Sequence, residues 1–248
     1  MKPAVWEIPS PTDSRPTADP AIAVCDVRVH YDGAAVPALD GVSIEVPIGS
    51  RVALLGANGA GKSTVLKAIV GLLPLQTGTI QVFGAPFPAR RRQVAYLAQQ
   101  SELDWRFPIT VQRFVATGRY VHLGWLRRPG KQDGELALAA LERLGVATLA
   151  QRQIGQLSGG QRQRVLLARA LVQSAEVVLL DEPFTAVDVE SREILIDVLE
   201  ELHLQGTTLL IATHETEAMA LDQTVCLHGG RILSPDTRER ERLAGWCG

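Results

Sequence analysis

Apolar and β-branched residues cluster first between Ala21 and Val29, then between Val42 and Val46, and again between Arg51 and Leu55. Short runs of this kind, divided by Gly and Pro turns, predict closely spaced strands at the start of a core sheet. Leu54 and Leu55 lead directly into a glycine-rich stretch. A helical segment is then expected from Ser63 to Val70, stopped by Gly71 with Pro74 just beyond. From about Phe107 to Ile154 the period changes: Leu136, Ala140, Leu141 and Leu144 recur at three- and four-residue spacing, which predicts an inserted, mainly helical subdomain. After it, a helix (about Gln161 to Ser174), a strongly apolar strand (Val177 to Leu180), a second helix (Ser191 to Leu204) and a strand (Thr208 to Ala212) alternate as parallel α/β units do. Ahead of Ile22, five prolines among Ser, Thr and Asp predict a flexible tail over residues 1–20.

Composition narrows the classes this chain can join. With 46% hydrophobic and 21% charged side chains in 248 residues, an ordinary globular fold is expected. The formal net charge of -2 gives no global reason to bind nucleic acid, so no nucleic-acid partner is assigned. Cys25, Cys226 and Cys247 are far apart and odd in number, which suggests neither a disulfide framework nor a zinc site and fits a reducing cytoplasm. No run approaches the eighteen or more apolar residues that cross a bilayer. His30, His122, His203 and His228 make no ligand-like spacing and are given no metal role.

Two stretches carry chemistry. Gly56-Ala57-Asn58-Gly59-Ala60-Gly61-Lys62-Ser63 fits the phosphate-loop pattern G-x-x-x-x-G-K-[ST], whose glycines let backbone N–H groups curl around an anion at a helix N-terminus. In that pattern Lys62 reaches the β- and γ-phosphates of ATP, Ser63 holds Mg²⁺ and Thr64 contributes at the α- or β-phosphate. The strand Val177 to Leu180 then delivers Asp181 and Glu182 at its C-terminal end, where α/β sheets place their chemistry. Asp181 is the expected outer ligand of Mg²⁺. Glu182 is the candidate to polarise the attacking water, and Pro183 keeps it out of helical geometry.

Leu157-Ser158-Gly159-Gly160-Gln161, opening a helix that carries Arg162, Arg164 and Arg169, resembles the signature motif of ABC ATPases. Bottom-up it reads as a second anion site, with Ser158 as N-cap and Gly159, Gly160 and Gln161 at the helix start. The resemblance covers about Ile22 to Ile232 and implies further roles. Tyr31 resembles the aromatic that stacks on adenine, Gln99 the glutamine that links the active site and its Mg²⁺ to the helical subdomain, Asp188 the short loop after the second carboxylate, and His214 the histidine that contacts the γ-phosphate. It also implies a P-loop (RecA-like) α/β core, about 21–99 and 161–235, with a helical subdomain at about 100–160, an antiparallel β subdomain and a C-terminal tail at 236–248. Each ATP would lie between the phosphate loop of one copy and Ser158, Gly159 and Gly160 of a second.

A narrower resemblance follows Gln99. Asp104-Trp105-Arg106-Phe107-Pro108-Ile109-Thr110-Val111, then Gly118-Arg119-Tyr120, is similar to strings in ATPase subunits of manganese, zinc and iron uptake transporters. Phe184, where many relatives have Thr, points the same way. Ala98 stands where relatives usually have Pro, a departure outside the catalytic set. The resemblance implies a membrane permease partner, indirectly an extracytoplasmic solute-binding protein, and a cytoplasmic chain peripheral on the inner face of the membrane. An ABC ATPase serving another substrate, or a soluble non-transport ABC ATPase, is the alternative. The single cassette, the lack of sustained heptads and the lack of a basic stripe weigh against the soluble one.

Overall fold

A computed structural model of the chain describes residues 20–99, 103–123, 127–185, 187–214 and 219–233. The expected tails, apart from Pro20, lie outside these residues.

The early apolar runs form β1 (Ile22–Val29) and β2 (Leu39–Val46), paired antiparallel, with β4 (Thr77–Val82) on the other side of β1. These three make the antiparallel sheet. The parallel sheet holds β3 (Arg51–Leu55), β5 (Val94–Leu97), β6 (Val177–Asp181), β7 (Thr208–Thr213), β8 (Gln223–His228) and the short antiparallel β9 (Arg231–Ile232), in the order β5-β6-β7-β3-β8-β9. The α-helices are α1 (Lys62–Ile69), α2 (Phe87–Arg90), α3 (Val111–Ala116), α4 (Tyr120–Leu123), α5 (Lys131–Arg143), α6 (Gly159–Leu171) and α7 (Val189–Leu204), with short 3-10 turns at Thr117–Arg119, Ala147–Leu149 and Ile154–Gln156.

The parallel sheet is covered on both faces, which is why its central strands are unbroken apolar runs. Along β6, Val177 and Leu179 face one core with α1 and the antiparallel sheet, while Val178 and Leu180 face another with α6 and α7. α3 and α5 extend this second core from the far side of α6, through Val115, Leu141 and Leu144. The helical insertion is therefore built on the flank of α6.

α1 and α7 stop within a residue of the expected ends, whereas α6 stops at Leu171, ahead of the expected Ser174. α1 closes with Gly71 at φ 67°, its N–H donating to the Ala68 carbonyl, and Leu72 N donates to the Lys67 carbonyl. α6 begins two residues before Gln161, because Ser158 caps it, and α7 begins two before Ser191, because Asp188 does. Strands β3, β6 and β7 run parallel, with Leu55 opposite Thr213 and Asp181 opposite Ala212. The phosphate loop, the acidic pair and His214 thus emerge at one edge of the sheet.

Candidate nucleotide site

Two close approaches shape the phosphate loop. Gly56 precedes the curl, where an added Cβ would collide with the Leu227 carbonyl oxygen. Gly61, at φ 109°, would place a Cβ 3.0 Å from the Ala38 carbonyl oxygen. The turn between β8 and β9 braces the loop from below, Gly230 N donating to the Ala60 carbonyl at 3.0 Å. α1 starts at Lys62 with no side-chain cap, so its first turn offers N–H groups and the positive end of the helix dipole to an anion.

Lys62 and Glu182 face each other across the loop. Lys62 is 5% exposed; its Nζ donates to the Gly56 carbonyl at 2.6 Å and lies 3.1 Å from Glu182 Oε1. Glu182 Oε2 is 2.9 Å from His214 Nδ1 and accepts from Thr185 Oγ1 at 3.2 Å. Glu182 itself has φ 48°, an uncommon left-handed conformation for glutamate that turns its side chain away from the strand it follows. A buried lysine paired with a carboxylate and a carbonyl is well placed to exchange both for phosphate oxygens, which offer it a stronger charged acceptor.

Behind this pair, fully buried Asp181 accepts a 2.8 Å hydrogen bond from Ser63 Oγ and another at 3.3 Å from the Tyr96 hydroxyl. Ser63 hydroxyl, Asp181 carboxylate and the Gln99 amide are hard oxygen donors, of the kind Mg²⁺ accepts when phosphate and water fill its remaining positions. Gln99, Asn58, Gly59 and Thr64 line the same cavity of about 850 Å³. Tyr31 lines it too, with its hydroxyl 3.3 Å from Thr64 Oγ1, so the ring lies beside the phosphate loop.

The second group of expected residues is assembled elsewhere. Ser158 accepts from Gln161 N at 3.4 Å, and Gln161 Oε1 accepts from Ser158 N at 3.0 Å, a reciprocal capping box. Gly160 packs against the start of α7, where a Cβ would overlap Asp188 Oδ2 and approach Ser191 Oγ to 2.6 Å. Asp188 accepts from Ser191 N at 2.8 Å and from Ser191 Oγ at 2.9 Å; these bonds, the backbone one first, hold its carboxyl below the usual aspartate range. Ser158, Gly159, Gly160, Gln161 and Asp188 form one patch, and none of them lines the 850 Å³ cavity.

The cavity has the phosphate loop at one end, and the capped, glycine-opened start of α6 lies outside it. The family profile described as ABC transporter matches residues 39–185. The chain belongs to the ABC transporter family. It is 46% identical over 226 residues to the zinc transport system ATP-binding protein TroB of Treponema pallidum, covering 88% of this chain and 84% of that one. To the manganese transport system ATP-binding protein MntB of Bacillus subtilis it is 43% identical, covering 79% of each. Among solved structures, the ATP-binding cassette MJ0796, dimeric and bound to ADP and Pi after hydrolysis, superposes with a TM-score of 0.77 at 25% identity, covering 86% of this chain and 97% of that one. The cbiO1 chain of Clostridium perfringens, part of an ABC transporter complex, gives 0.71 at 26% identity, covering 91% and 93%. This ABC protein is accordingly a nucleotide-binding ATPase subunit of an ABC transporter.

Sequence reasoning passed over three contributors. Tyr96 sits on β5 opposite Leu179 and reaches Asp181; the only advance sign was a tyrosine three residues ahead of Gln99. Thr185 steadies Glu182. Asp40 and Arg231 meet on the cavity wall, Arg231 Nε donating to Asp40 Oδ2 at 2.9 Å, and this bond lowers the Asp40 pKa below its ordinary value. Their separation along the chain hid them.

Proposed function

We propose that this chain is the ATP-hydrolysing, energy-coupling subunit of an importer for a transition-metal ion: manganese, alternatively zinc or iron. The observation that carries the substrate class is the high identity, over most of both chains, to subunits named for zinc and manganese transport. The string from Asp104 to Val111 supports the same class.

In this reading the N–H groups of 57–62 and the Lys62 ammonium bind the β- and γ-phosphates, with Tyr31 against the adenine. Ser63, Asp181 and Gln99 would hold Mg²⁺, which when bound neutralises charge between the phosphates. Glu182 takes the proton from the attacking water. His214 holds Glu182 in place through Oε2 and reaches the γ-phosphate. Ser158, Gly159, Gly160 and Asp188 of a second copy close over the nucleotide, so ATP favours the closed pair because it touches both faces only when they meet.

The permease would dock on the groove of about 350 Å³ beside Ala98, walled by Leu72, Phe87, Leu103 and Val121. Of the apolar pair Trp105 and Phe107, Phe107 is 61% exposed and offers that partner a contact, whereas Trp105 is buried in the core of the helical insertion. No helix among the described residues is long and apolar enough to cross a membrane, so the bilayer-spanning part falls to that separate chain. The subunit sits on the cytoplasmic face, and an extracytoplasmic binding protein delivers the ion. A strain lacking this gene should lose growth in metal-depleted medium and regain it with one of manganese, zinc or iron. Rescue by none of the three overturns the metal assignment.

A further inference from the structure

Trp105 is 8% exposed although it lies in the connection between β5 and α3, two residues ahead of the exposed Phe107. That connection is bonded by its backbone to the strap that enters the signature. Ile154 N donates to the Ile109 carbonyl at 3.1 Å, and Val111 N to the Arg152 carbonyl at 2.9 Å. A Cβ on Gly155 would come within 2.9 Å of the Trp105 carbonyl oxygen, so a glycine is what lets strap and connection touch. On the far side of Ser158, the Arg162 guanidinium carbon stands 4.8 Å from the centroid of the Trp105 ring. The same ring tilts at 47° against Phe114, 6.1 Å away.

Arg162 occupies the first turn of α6, where the helix dipole disfavours a cation. Its Nε is buried with no hydrogen-bond partner. The electron-rich face of the indole is the compensation it has at that atom's side, an attraction that only an aromatic ring supplies. One residue therefore brackets the signature: the Trp105 backbone meets the strap before Ser158, and its ring holds the helix just after Gln161.

We propose that Trp105 is a positioning residue for the signature, fixing the direction in which residues 158–161 meet the ATP held by the second subunit. This rests on reading 158–161 as the second phosphate site. Trp105→Leu and Trp105→Phe both shrink the side chain and should lower Tm by similar amounts, but only phenylalanine keeps a ring face for Arg162. The test is steady-state Mg²⁺-ATP turnover of the full-length chain.

Trp105→Leu should lose roughly fivefold in kcat with KM for ATP unchanged, and Trp105→Phe should stay within about twofold of the unmodified protein. Arg162→Met should match Trp105→Leu, and the double variant should be no worse than either, because both remove one contact. Equal kcat for the leucine and phenylalanine variants, additive losses in the double variant, or a change in KM in place of kcat would overturn the proposal. Ser158→Arg separates the two layers of the reasoning. If it turns over normally, the second phosphate site is wrong. If it is inactive while the Trp105 variants match the unmodified protein, the positioning role alone is wrong.

Discussion

Replacing Glu182 with glutamine isolates one atom's chemistry. Glutamine keeps the size of the side chain and one oxygen to accept from Thr185 Oγ1, now 3.2 Å from Glu182 Oε2, so the left-handed turn at this position need not change. The carboxylate is lost, and with it both the proton acceptor and the ion-pair partner of Lys62 at 3.1 Å. Loss of a positioned general base costs on the order of 10²- to 10⁴-fold in rate, about 3–5 kcal/mol of barrier. Lys62 retains its bond to the Gly56 carbonyl and has no competing carboxylate, so ATP affinity should hold or rise. Steady-state phosphate release, titration with a fluorescent ATP analogue, and size-exclusion chromatography with Mg²⁺ and ATP together give the three readouts. The expected outcome is near-zero turnover, retained binding and a trapped dimer. Turnover within about threefold of the unmodified protein would refute the base assignment.

Other substitutions probe neighbouring parts. Asp181→Asn removes the charged partner of Ser63, and the Mg²⁺ concentration for half-maximal turnover should rise roughly 10- to 100-fold, read by a metal titration of the ATPase rate. Gly160→Val would drive a side chain into Asp188 and Ser191; turnover should fall below detection while a single subunit still binds the fluorescent analogue normally. Asp188 has a depressed pKa in the folded chain, so its contribution to stability is complete above the unfolded aspartate value near about 3.9 and is lost as pH falls through the folded one. Asp188→Ala should therefore lower Tm at neutral pH and lose that deficit in strong acid, as a melting series against pH would record. Leu179→Ala, at a fully buried position between sheet and α1, should cost about 2–5 kcal/mol in urea unfolding.

The parts of the fold legible in the sequence are those where burial or backbone geometry forces a residue type. β3, β6 and β7 are buried on both faces, so Val52–Leu55, Val177–Leu180 and Leu209–Ala212 are apolar throughout, and the stop at Gly71 and the cap at Ser158 are set by unsatisfied backbone groups. β4 was not legible because it is largely exposed, β5 because it has only four residues in all, and β8 because only Val225 and Leu227 in it are buried. The phosphate loop and the acidic pair could be read because each is contiguous and ends a strand. Tyr96 and the Asp40–Arg231 pair join the site only through tertiary contact, and no spacing along the chain encodes them, whereas Thr185 bonds Glu182 from three residues on. The reading that the signature serves a second copy came from resemblance, and its placement outside the cavity that Lys62 lines gives that reading a physical basis.

That division of the site between two copies is tested most directly by mixing. A chain carrying Lys62→Ala lacks its phosphate-loop lysine, and a chain carrying Ser158→Arg has its signature blocked; each alone should be inactive. In a mixed pair, the intact phosphate loop of one chain meets the intact signature of the other, so an equimolar mixture should recover roughly a quarter of the unmodified rate if the pairs form at random. A mixture as inactive as its components, or either variant fully active alone, would contradict a shared site.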